Sequence, residues 1–424
     1  MKTVKELKAS VLDGTYDGEL SDLYGAEHLM QQKERYAHLC EEAEKRFGNG
    51  QACFVSAPGR TEVGGNHTDH QLGRVLAAAI DLDIASVVVP RDDMIVSYKS
   101  NGFEVKDVDL SDLAIHEEER NTTESLIRGI AAAFAKNGHA LHGFNCYAES
   151  NVLPGSGMSS SAAFEVLIGT IFSYVFNEEK VDPVTIAKYG QFAENQYFMK
   201  GSGLMDQMAC SVGGFVAIDF YDQEEPVIEH VDYDLSAHGY DLIITDCKAS
   251  HADLSDEYTL MPQEMKAAAH VMGQEVLSRV TMNDLLSHAN KIREECGDRA
   301  FLRSYHFLNE TERAKDEKIA LATGDLSHFL ELVTESGHSS FMYLQNVKAN
   351  GIDKKQSLAV GLAVSEHVLA KDGACRVHGG GLAGTIQAFC PKEKTPLYIE
   401  AMESLFGKDC SHIVRIRSVG GMKI

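Results

Sequence analysis

The sequence has no tryptophan, only 8 prolines in 424 residues, and no apolar stretch of the length that crosses a membrane. Its first residues, MKTVKELKAS, also lack the apolar run of a signal peptide. We therefore expect neither membrane insertion nor secretion, and we expect a cytoplasmic protein.

Basic residues are scarce as well. Lys and Arg number 39 against 63 Asp and Glu, which gives a formal net charge of −24. A surface of this charge repels nucleic acids and anionic membranes, so we expect neither as a partner. An anionic ligand requires a locally positive site in such a protein, which gives weight to the few well-placed arginines.

The nine cysteines form no CxxC pair and no zinc-binding spacing. Free thiols in a reducing compartment are the simplest interpretation. The length allows two or three domains. Because the pattern changes from mixed strands and helices to mostly helical near residue 250, we predict a domain boundary between Val212 and Asp246.

Hydrophobic periodicity and turn residues predict most helices and strands. The predicted helices are Ala26–Phe47, Thr123–Lys136, a helix from the serines near residue 160 to Val175, Pro183–Met199, and a mostly helical region Thr259–Leu330. The predicted strands are Ala52–Ala57, ended by Pro58 and Gly59; Ile84–Pro90 and Met94–Lys99, joined as a hairpin; Phe144–Ser150; Gly214–Phe220; Tyr240–Cys247; and one within Ala374–Phe389. The segment up to about Leu23 has no strong period, and we expect an extension that packs on the surface or is partly mobile.

The stretch Asn151–Glu165, NVLPGSGMSSSAAFE, leads from a predicted strand through a glycine turn into an apolar helix. Such a turn presents backbone N–H groups at a helix N-terminus, which suits a phosphate group. Ser159, Ser160 and Ser161 can cap the helix, donate to phosphate oxygens or place a hydroxyl on Mg²⁺. No Lys-Ser or Lys-Thr pair closes the turn as in a P-loop. Phosphate binding and simple capping both remain open.

A second polar stretch, residues 60–73, reads RTEVGGNHTDHQLG. It places five polar side chains in one predicted loop: Arg60, Asn66, His67, Asp69 and His70. This concentration is costly unless the side chains have partners. They could ligate a metal, form a self-capping turn or bind a polyhydroxylated ligand. Because no fourth ligand is evident nearby, metal binding ranks last, and the other two hypotheses remain open.

Two further segments carry candidate groups. Glu194 lies near a predicted helix end, and Asp206 follows a glycine-rich loop. One carboxylate on Mg²⁺ and a second facing an acceptor hydroxyl would suit phosphoryl transfer, whereas the alternative is two solvated acids. The glycine turn at Arg376–Thr385, RVHGGGLAGT, could approach a ligand but is weak evidence by itself.

These four segments, in this order, resemble the motifs of the GHMP small-molecule kinases, and specifically of their galactokinase branch. The first motif, PGRxNLIGEHTDYxxGxVLPxAI, is matched at Pro58–Arg60, Gly65, His67–Asp69, Gly73, Val75–Leu76 and Ala79–Ile80. The second, LPxGxGLSSSAAxEV, is matched at Leu153–Pro154, Gly157, Ser159–Ala163 and Glu165–Val166, with Met158 for leucine. The helix acid and GxMDQ element is similar to Glu194 and Gly203–Gln207, and the third motif, RMTGAGFGGC, resembles Arg376 and Gly379–Gly384.

The resemblance implies an α+β, two-domain GHMP kinase fold with a ribosomal-S5-domain-2-like N-terminal lobe and a ferredoxin-like C-terminal lobe. On this basis we divide the chain into an N-terminal extension (1–25), an N-terminal domain with the sugar and ATP motifs (26–225) and a C-terminal domain (226–424). The implied activity is ATP-dependent phosphorylation of a sugar at its anomeric hydroxyl, with galactose as the expected substrate and Mg²⁺ as the cofactor. A related hexose, an amino sugar or a uronic acid is the first alternative, and a non-catalytic galactose sensor is the second. A monomer or weak homodimer is expected.

Carried over position by position, the resemblance also implies site residues. Asp206 would orient the anomeric hydroxyl or accept its proton, with Arg60 beside it as the second catalytic residue. The ATP-binding residues would be Pro154, Gly155, Ser156, Gly157, Met158, Ser159, Ser160 and Ser161. The sugar-binding residues would be Arg60, Asn66, His67, Asp69, Gly203, Asp206 and Tyr258. Ser161 and Glu194 would hold Mg²⁺.

The chain departs from the first motif where the sugar is implied to bind. Asn66 stands at the motif's glutamate and His70 at its tyrosine, while Glu62-Val63-Gly64 replaces NLI. Asn can donate as well as accept, so a different pattern of sugar hydroxyls is implied. All residues implied in catalysis and metal binding are retained, which favours an enzyme over the sensor.

Overall fold

The computed structural model describes residues 1–152, 157–222, 224–249, 255–349, 351, 354–382 and 384–424. The strands are β1 (Lys2–Thr3), β2 (Gln51–Gly64), β3 (Arg74–Pro90), β4 (Ile95–Ser100), β5 (Phe103–Glu104), β6 (Val108–Asp109), β7 (Phe144–Ser150), β8 (Phe215–Asp219), β9 (Val227–Val231), β10 (Tyr240–Ala249), β11 (Ala374–Val377), β12 (Gly384–Pro391), β13 (Ser411–Val414) and β14 (Met422–Lys423). The α-helices are α1 (Val4–Leu12), α2 (Asp17–Tyr24), α3 (Leu29–Phe47), α4 (Thr123–Lys136), α5 (Ser160–Ile171), α6 (Pro183–Ala193), α7 (Met205–Val212), α8 (Ser255–Val271), α9 (Met282–Ser287), α10 (Ala289–Glu295), α11 (Asp298–Thr323), α12 (Leu326–Ser339), α13 (Ser357–Leu369) and α14 (Thr395–Phe406). Among these described helices, none combines the length and the apolar character needed to cross a bilayer.

Two sheets organise the described residues, and the expected α+β class is confirmed. The larger sheet runs β1-β2-β3-β7-β4-β5, with β14 beside β2, β6 beside β4, and β8 and β9 beside β3. The smaller sheet has the antiparallel order β11-β12-β10-β13. β9 and β14 belong to the larger sheet, so its strands come from both sides of the predicted domain boundary between residues 225 and 226. The boundary itself stays a prediction.

Both faces of the larger sheet are covered, which explains the unbroken apolar run at the start of β2. Val55 and Ala57 face a core shared with α4 and α5, whereas Phe54 faces a second core formed with the first three helices. A strand that is buried on both faces reads as continuously hydrophobic instead of alternating. The predicted strand Ala52–Ala57 is therefore confirmed as the first part of β2.

The prediction that Pro58 and Gly59 end this strand is wrong. β2 continues to Gly64 along β3, with shifts in register between Pro58 and Arg60 and between Glu62 and Gly64. Such bulges let a strand pass a proline, which cannot donate to the ladder, and they re-aim the side chains that follow. The predicted loop of residues 60–73 is thus a strand end, a turn and a short 3₁₀ helix, Asp69–Gln71.

The predicted hairpin between Ile84–Pro90 and Met94–Lys99 is also wrong. Both segments are strands, but β7 lies between them, antiparallel to β3 and parallel to β4. The turn at residues 91–94 therefore carries the chain past a strand that is contributed from residues 144–150. Local turn residues cannot reveal an inserted strand of this kind, because its pairing depends on distant sequence.

The helices near the site begin at the residues that the sequence indicates. Asp182 accepts a hydrogen bond from the N–H of Thr185, and Pro183 fills the first position of α6. Thr122 caps α4 in the same way through Ser125. Both α5 and α6 continue as π-helical turns, Phe172–Phe176 and Glu194–Phe198, so the predicted helices to Val175 and Met199 are confirmed.

The N-terminal segment is more ordered than its weak periodicity suggests. Thr3 and Glu6 form a reciprocal capping box at the start of α1, and α2 follows after a short turn. The buried side chains Val4, Leu7 and Val11 lie on one face of α1 and pack on the larger sheet. A helix of nine residues offers too few turns for a clear period.

A buried carboxylate ties this segment to the sheet. Asp83 on β3 accepts hydrogen bonds from Tyr24 (2.6 Å), Arg35 (2.8 Å) and Ser56, and Arg417 lies 3.4 Å away. Burial alone raises the pKa of Asp83, but the charges of Arg35 and Arg417 and the hydrogen bonds hold it below its ordinary value. Asp83 therefore remains charged and joins segments that are far apart in the sequence.

We predict that Asp83→Asn lowers the free energy of unfolding by about 3–5 kcal/mol, because two buried arginines lose their counter-charge. Urea unfolding monitored by circular dichroism measures the change. Asp93→Asn is the matched control, since Asp93 pairs with Arg91 at an exposed site and its loss should matter little. Equal unfolding midpoints for the two variants would contradict the role of Asp83.

Candidate active site

An ion pair joins the end of β2 to the first turn of α7. Nε of Arg60 lies 2.8 Å from Oδ1 of Asp206. The guanidinium of Arg60 also donates to the carbonyl of Gly157, and the N–H of Arg60 donates to the carbonyl of Met158 at 3.1 Å. Arg60 and Asp206 therefore lie directly against the bend at residues 157–159, the glycine-serine bend.

Asp206 is held from the other side by the bend itself. The hydroxyl of Ser159 donates to Oδ2 of Asp206. Burial alone raises the pKa of Asp206, but the charge of Arg60 and the hydrogen bonds from Arg60 and Ser159 outweigh it and lower the pKa below its ordinary value. Asp206 is therefore a carboxylate with a fixed orientation and weak basicity.

The bend leaves the N-terminus of α5 open. Ser159 is the N-cap residue, with a left-handed backbone (φ 54°), yet its side chain does not cap the helix. The hydroxyls of Ser160 and Ser161 form no hydrogen bond with the described part of the chain. Helix N–H groups without a side-chain cap attract anions. The structure thus favours an anion site over simple capping, while the predicted residues Pro154, Gly155 and Ser156 lie outside the described residues.

The glycine turn at residues 378–381 packs against this bend. A side chain at Gly157, where φ is 73°, would approach the His378 ring at 3.3 Å and the Thr385 hydroxyl at 3.4 Å. His378 in turn lies within hydrogen-bond distance of Thr61 on β2 (3.1 Å) and of Thr385 (2.9 Å). The positive φ of Gly157 is a backbone conformation that residues with a side chain rarely adopt, which explains the glycine at this position. The four sequence segments therefore meet at one place.

A cavity of about 440 Å³ opens beside the ion pair. It is lined by most of the predicted sugar-binding residues: Arg60, His67, Asp69, Gly203, Asp206 and Tyr258. Glu62, His70, Glu194 and Lys200 also line it. Most of its lining residues carry polar side chains, so hydrogen bonds can hold a ligand here.

Two acceptors face this cavity from the turn after β2. Oδ1 of Asp69 accepts the N–H of His70 at 2.9 Å, and a side chain at Gly203 would collide with Oδ2 of Asp69. Nε2 of His67 lies 2.9 Å from the carbonyl of Gly380. Because a carbonyl only accepts, Nε2 carries the proton, which leaves Nδ1 of the neutral ring as an acceptor.

Asn66 does not line the cavity, which differs from its predicted contact with a sugar. Its side chain is 0% exposed and is fully used in hydrogen bonds within the protein. Nδ2 donates to Glu62 (2.7 Å) and to the carbonyl of Gly379 (2.8 Å), while Oδ1 accepts from Asn346 (2.7 Å) and Ser340 (3.2 Å). The turn at Gly65 directs Asn66 into the core and His67 to the surface of the cavity.

Glu194 stands at the other end of the cavity. Its carboxylate accepts hydrogen bonds from Lys200 (2.8 Å) and from Gln207 (2.8 Å). Gln207 also donates to Glu165, whose pKa is raised well above its ordinary value by burial and by the charge of Glu194. The ammonium of Lys200 thus pairs with Glu194 at this end of the cavity.

The described residues contain no group of three or more His, Cys, Asp and Glu side chains arranged to hold a metal ion. A metal at Glu194 would therefore take most of its ligands from a bound phosphate and water, which is typical of Mg²⁺.

Sequence reasoning missed several residues that form the site. Glu62 and His378 lie inside recognised motifs but at positions that the resemblance did not assign. Lys200 directly precedes the glycine-rich loop, and Gln207 follows Asp206. The sequence signal that could have indicated these residues was a charged or amide side chain close to a residue already assigned to the site.

Comparison with known proteins gives consistent results. The GHMP kinases N terminal domain matches residues 125–214, and the galactokinase galactose-binding signature matches residues 43–90. A galactokinase of Lactobacillus helveticus is 30% identical over 345 residues, which are 80% of this chain and 85% of that protein. The crystal structure of Lactococcus lactis galactokinase complexed with galactose covers 91% of this chain and 98% of its own, with a TM-score of 0.78 and 20% identity. Methanococcus jannaschii mevalonate kinase shares the fold more distantly, with a TM-score of 0.60 and 14% identity over 87% of this chain and 99% of its own.

We predict that His67 stays neutral throughout the physiological range. Burial lowers the pKa of His67 from 6.5 to about 4. Because the unfolded chain then binds the proton first, the free energy of unfolding falls as the pH drops from about 6.5 towards 4.

An NMR pH titration of the imidazole signals measures this pKa, with His67→Gln identifying the signal. The His67→Gln variant should also lose part of the pH dependence of stability in that window. A midpoint near 6.5 would contradict the prediction.

Proposed function

The chain belongs to the galactokinase branch of the GHMP kinases, and from this premise we propose that it transfers the terminal phosphate of ATP to the anomeric hydroxyl of galactose. One observation carries the proposal. Asp206 bonds both to Arg60 in the polar cavity and to Ser159 at the N-terminus of α5. A sugar hydroxyl and a phosphate bound at these two places would lie next to each other.

The cavity supports a neutral, hydroxyl-rich acceptor. Asp69 and Nδ1 of His67 offer acceptors, which match the hydroxyl donors of a sugar. The cations that line the cavity, Arg60 and Lys200, already have carboxylate partners. The carboxylate of a uronic acid would therefore meet Asp69 and Glu62 without a free cation, which argues against this alternative substrate.

The bend supports the binding of a nucleotide's phosphates. The N-terminus of α5 has no side-chain cap, and Ser160 and Ser161 have hydroxyls available for donation. Arg60 spans from this bend to Asp206, so it can counter the negative charge that develops on the transferred group. Phosphates that bind along this bend would be held in a fixed position beside Asp206, in addition to having their charge countered.

Asp206 acts mainly by orienting the hydroxyl. Its lowered pKa makes it a poor base at neutral pH. With one oxygen bonded to Arg60 and the other to Ser159, the carboxylate can still accept the anomeric hydroxyl through a remaining lone pair and align it with the phosphate. Correct alignment of two reactants can account for a large part of the rate enhancement in phosphoryl transfer.

Ser161 and Glu194 are the residues that would hold a magnesium ion. Both offer the hard oxygen ligands that Mg²⁺ prefers, and Glu194 lies on the wall of the cavity beside Asp206. When bound, the ion would neutralise the charge of the phosphates.

The test is a product analysis with a panel of sugars. We expect galactose and ATP to give galactose 1-phosphate, identified by ³¹P NMR, while uronic acids are not phosphorylated. Methyl galactoside is the matched control, because its anomeric oxygen is blocked. Phosphorylation of the methyl galactoside, or an absence of phosphoryl transfer to every hexose and amino sugar tested, would overturn the proposal.

We predict that Asp206→Asn lowers kcat roughly 10²- to 10⁴-fold, because an amide cannot accept from Arg60, Ser159 and the substrate hydroxyl together. ATP affinity, measured by calorimetry, should change little. Asp219→Asn is the matched control, since Asp219 forms a similar pair with Nε of Arg74 at 2.7 Å but lies outside the cavity. Equal kcat values in the two variants would remove Asp206 from the mechanism.

A further inference from the structure

Glu62 is a carboxylate in the cavity wall to which the resemblance assigns no role. It follows Arg60 by two residues on β2 and lines the same cavity. Glu62 is only 4% exposed, so the cavity is its contact with solvent. A charged group in such a place is retained only with partners or a ligand.

One oxygen of Glu62 is fixed and the other is not. Oε1 accepts hydrogen bonds from Nδ2 of Asn66 and from Nη2 of Arg376, each at 2.7 Å. Arg376 is itself buried and also donates to the carbonyls of Val63 and Val377. Oε2 has no hydrogen-bond partner in the described part of the chain. The carboxylate is therefore held in one orientation with an acceptor still available.

The relation between Glu62 and Asn66 explains why Asn66 is buried. Glu62 stands at the asparagine of the first motif, and Asn66 stands at its glutamate. In this chain the two residue types are thus exchanged, and they hydrogen-bond to each other. The exchange puts the carboxylate on the wall of the cavity and the amide beneath it.

We propose that Glu62 is a further sugar-binding residue, whose free oxygen accepts a hydroxyl distant from the anomeric carbon and so determines which hexose fits. The proposal rests on the proposed function and deepens it. Two residues of strand span about 6.6 Å, so Glu62 addresses another part of the ring than the pair at Arg60. Asn66 and Arg376 are positioning residues that hold this carboxylate in place.

The test uses Glu62→Gln with galactose and its 2-, 3-, 4- and 6-deoxy derivatives. Glutamine keeps an oxygen for Asn66 and Arg376 but presents an N–H donor to the cavity. We expect galactose binding, measured by calorimetry, to weaken roughly 10- to 100-fold, the range for a hydrogen bond to a charged group. We expect one deoxy sugar to bind the wild type and the variant equally, which identifies the hydroxyl that Glu62 accepts.

Ser340→Ala is the matched control, because Ser340 donates to Asn66 on the far side of the same buried network. The Ser340→Ala variant should leave the ratio between the affinity for galactose and the affinity for each deoxy sugar unchanged. ATP binding by Glu62→Gln confirms that the variant is folded. If the variant weakens all sugars by the same factor, or none, Glu62 does not recognise a hydroxyl and the inference is overturned.

Turnover is measured separately from binding. Selective loss of binding in Glu62→Gln without any phosphorylation by the wild type would support this inference and contradict the proposed function. Normal phosphorylation of galactose by the wild type, with ratios of galactose to deoxy-sugar affinity that are unchanged in Glu62→Gln, would support the proposed function and contradict this inference. Failure of the wild type to bind any of these sugars would overturn both.

Discussion

The ion pair between Arg60 and Asp206 is the interaction on which the site depends. The side chain of Arg60 is 7% exposed and that of Asp206 is 33% exposed, so the buried guanidinium requires the carboxylate, and both groups require hydrogen bonds for their remaining polar atoms. Arg60 obtains these from the carbonyl of Gly157, and Asp206 obtains them from Ser159. The pairing of Arg60 with Asp206 therefore fixes the end of β2, the bend before α5 and the start of α7 relative to one another. A catalytic arrangement follows from the need to leave no buried charge unpaired.

The same rule governs the rest of the cavity and explains how an acidic protein can receive a nucleotide. Lys200 is paired with Glu194 and Arg376 with Glu62, so the acids beside the site are largely neutralised by partners. Positive potential for phosphates then comes from backbone N–H groups at α5, which carry no side-chain charge to be cancelled. Recognition of the sugar comes from acceptors that are fixed by neighbouring residues. Such a site is shaped before any ligand arrives, which lowers the entropic cost of binding.

Local sequence signals predicted the helices around the site, whereas the meeting of the four motifs was implied by the family resemblance. Asp182 and Pro183, for example, define the start of α6 because capping is a short-range effect. Long-range pairing was not predictable in this way: β7 separates β3 from β4 although nothing in residues 91–94 indicates it. The same limit applies to Asn66. Its burial depends on Asn346, Ser340 and Gly379, which lie more than 270 residues away along the chain.

The outer edge of β2 is shared by β1 and β14, which come from opposite ends of the sequence. During synthesis, the residues that pair with Ser56 and Val55 emerge roughly 370 residues after them, or roughly 20–70 s later at ordinary translation rates. Throughout that time the strand that carries Arg60 has an open edge, and such edges invite pairing between chains. The strand that carries Arg60 therefore completes its outer edge only when a segment from a distant part of the chain reaches it, which makes this edge a late contact in folding.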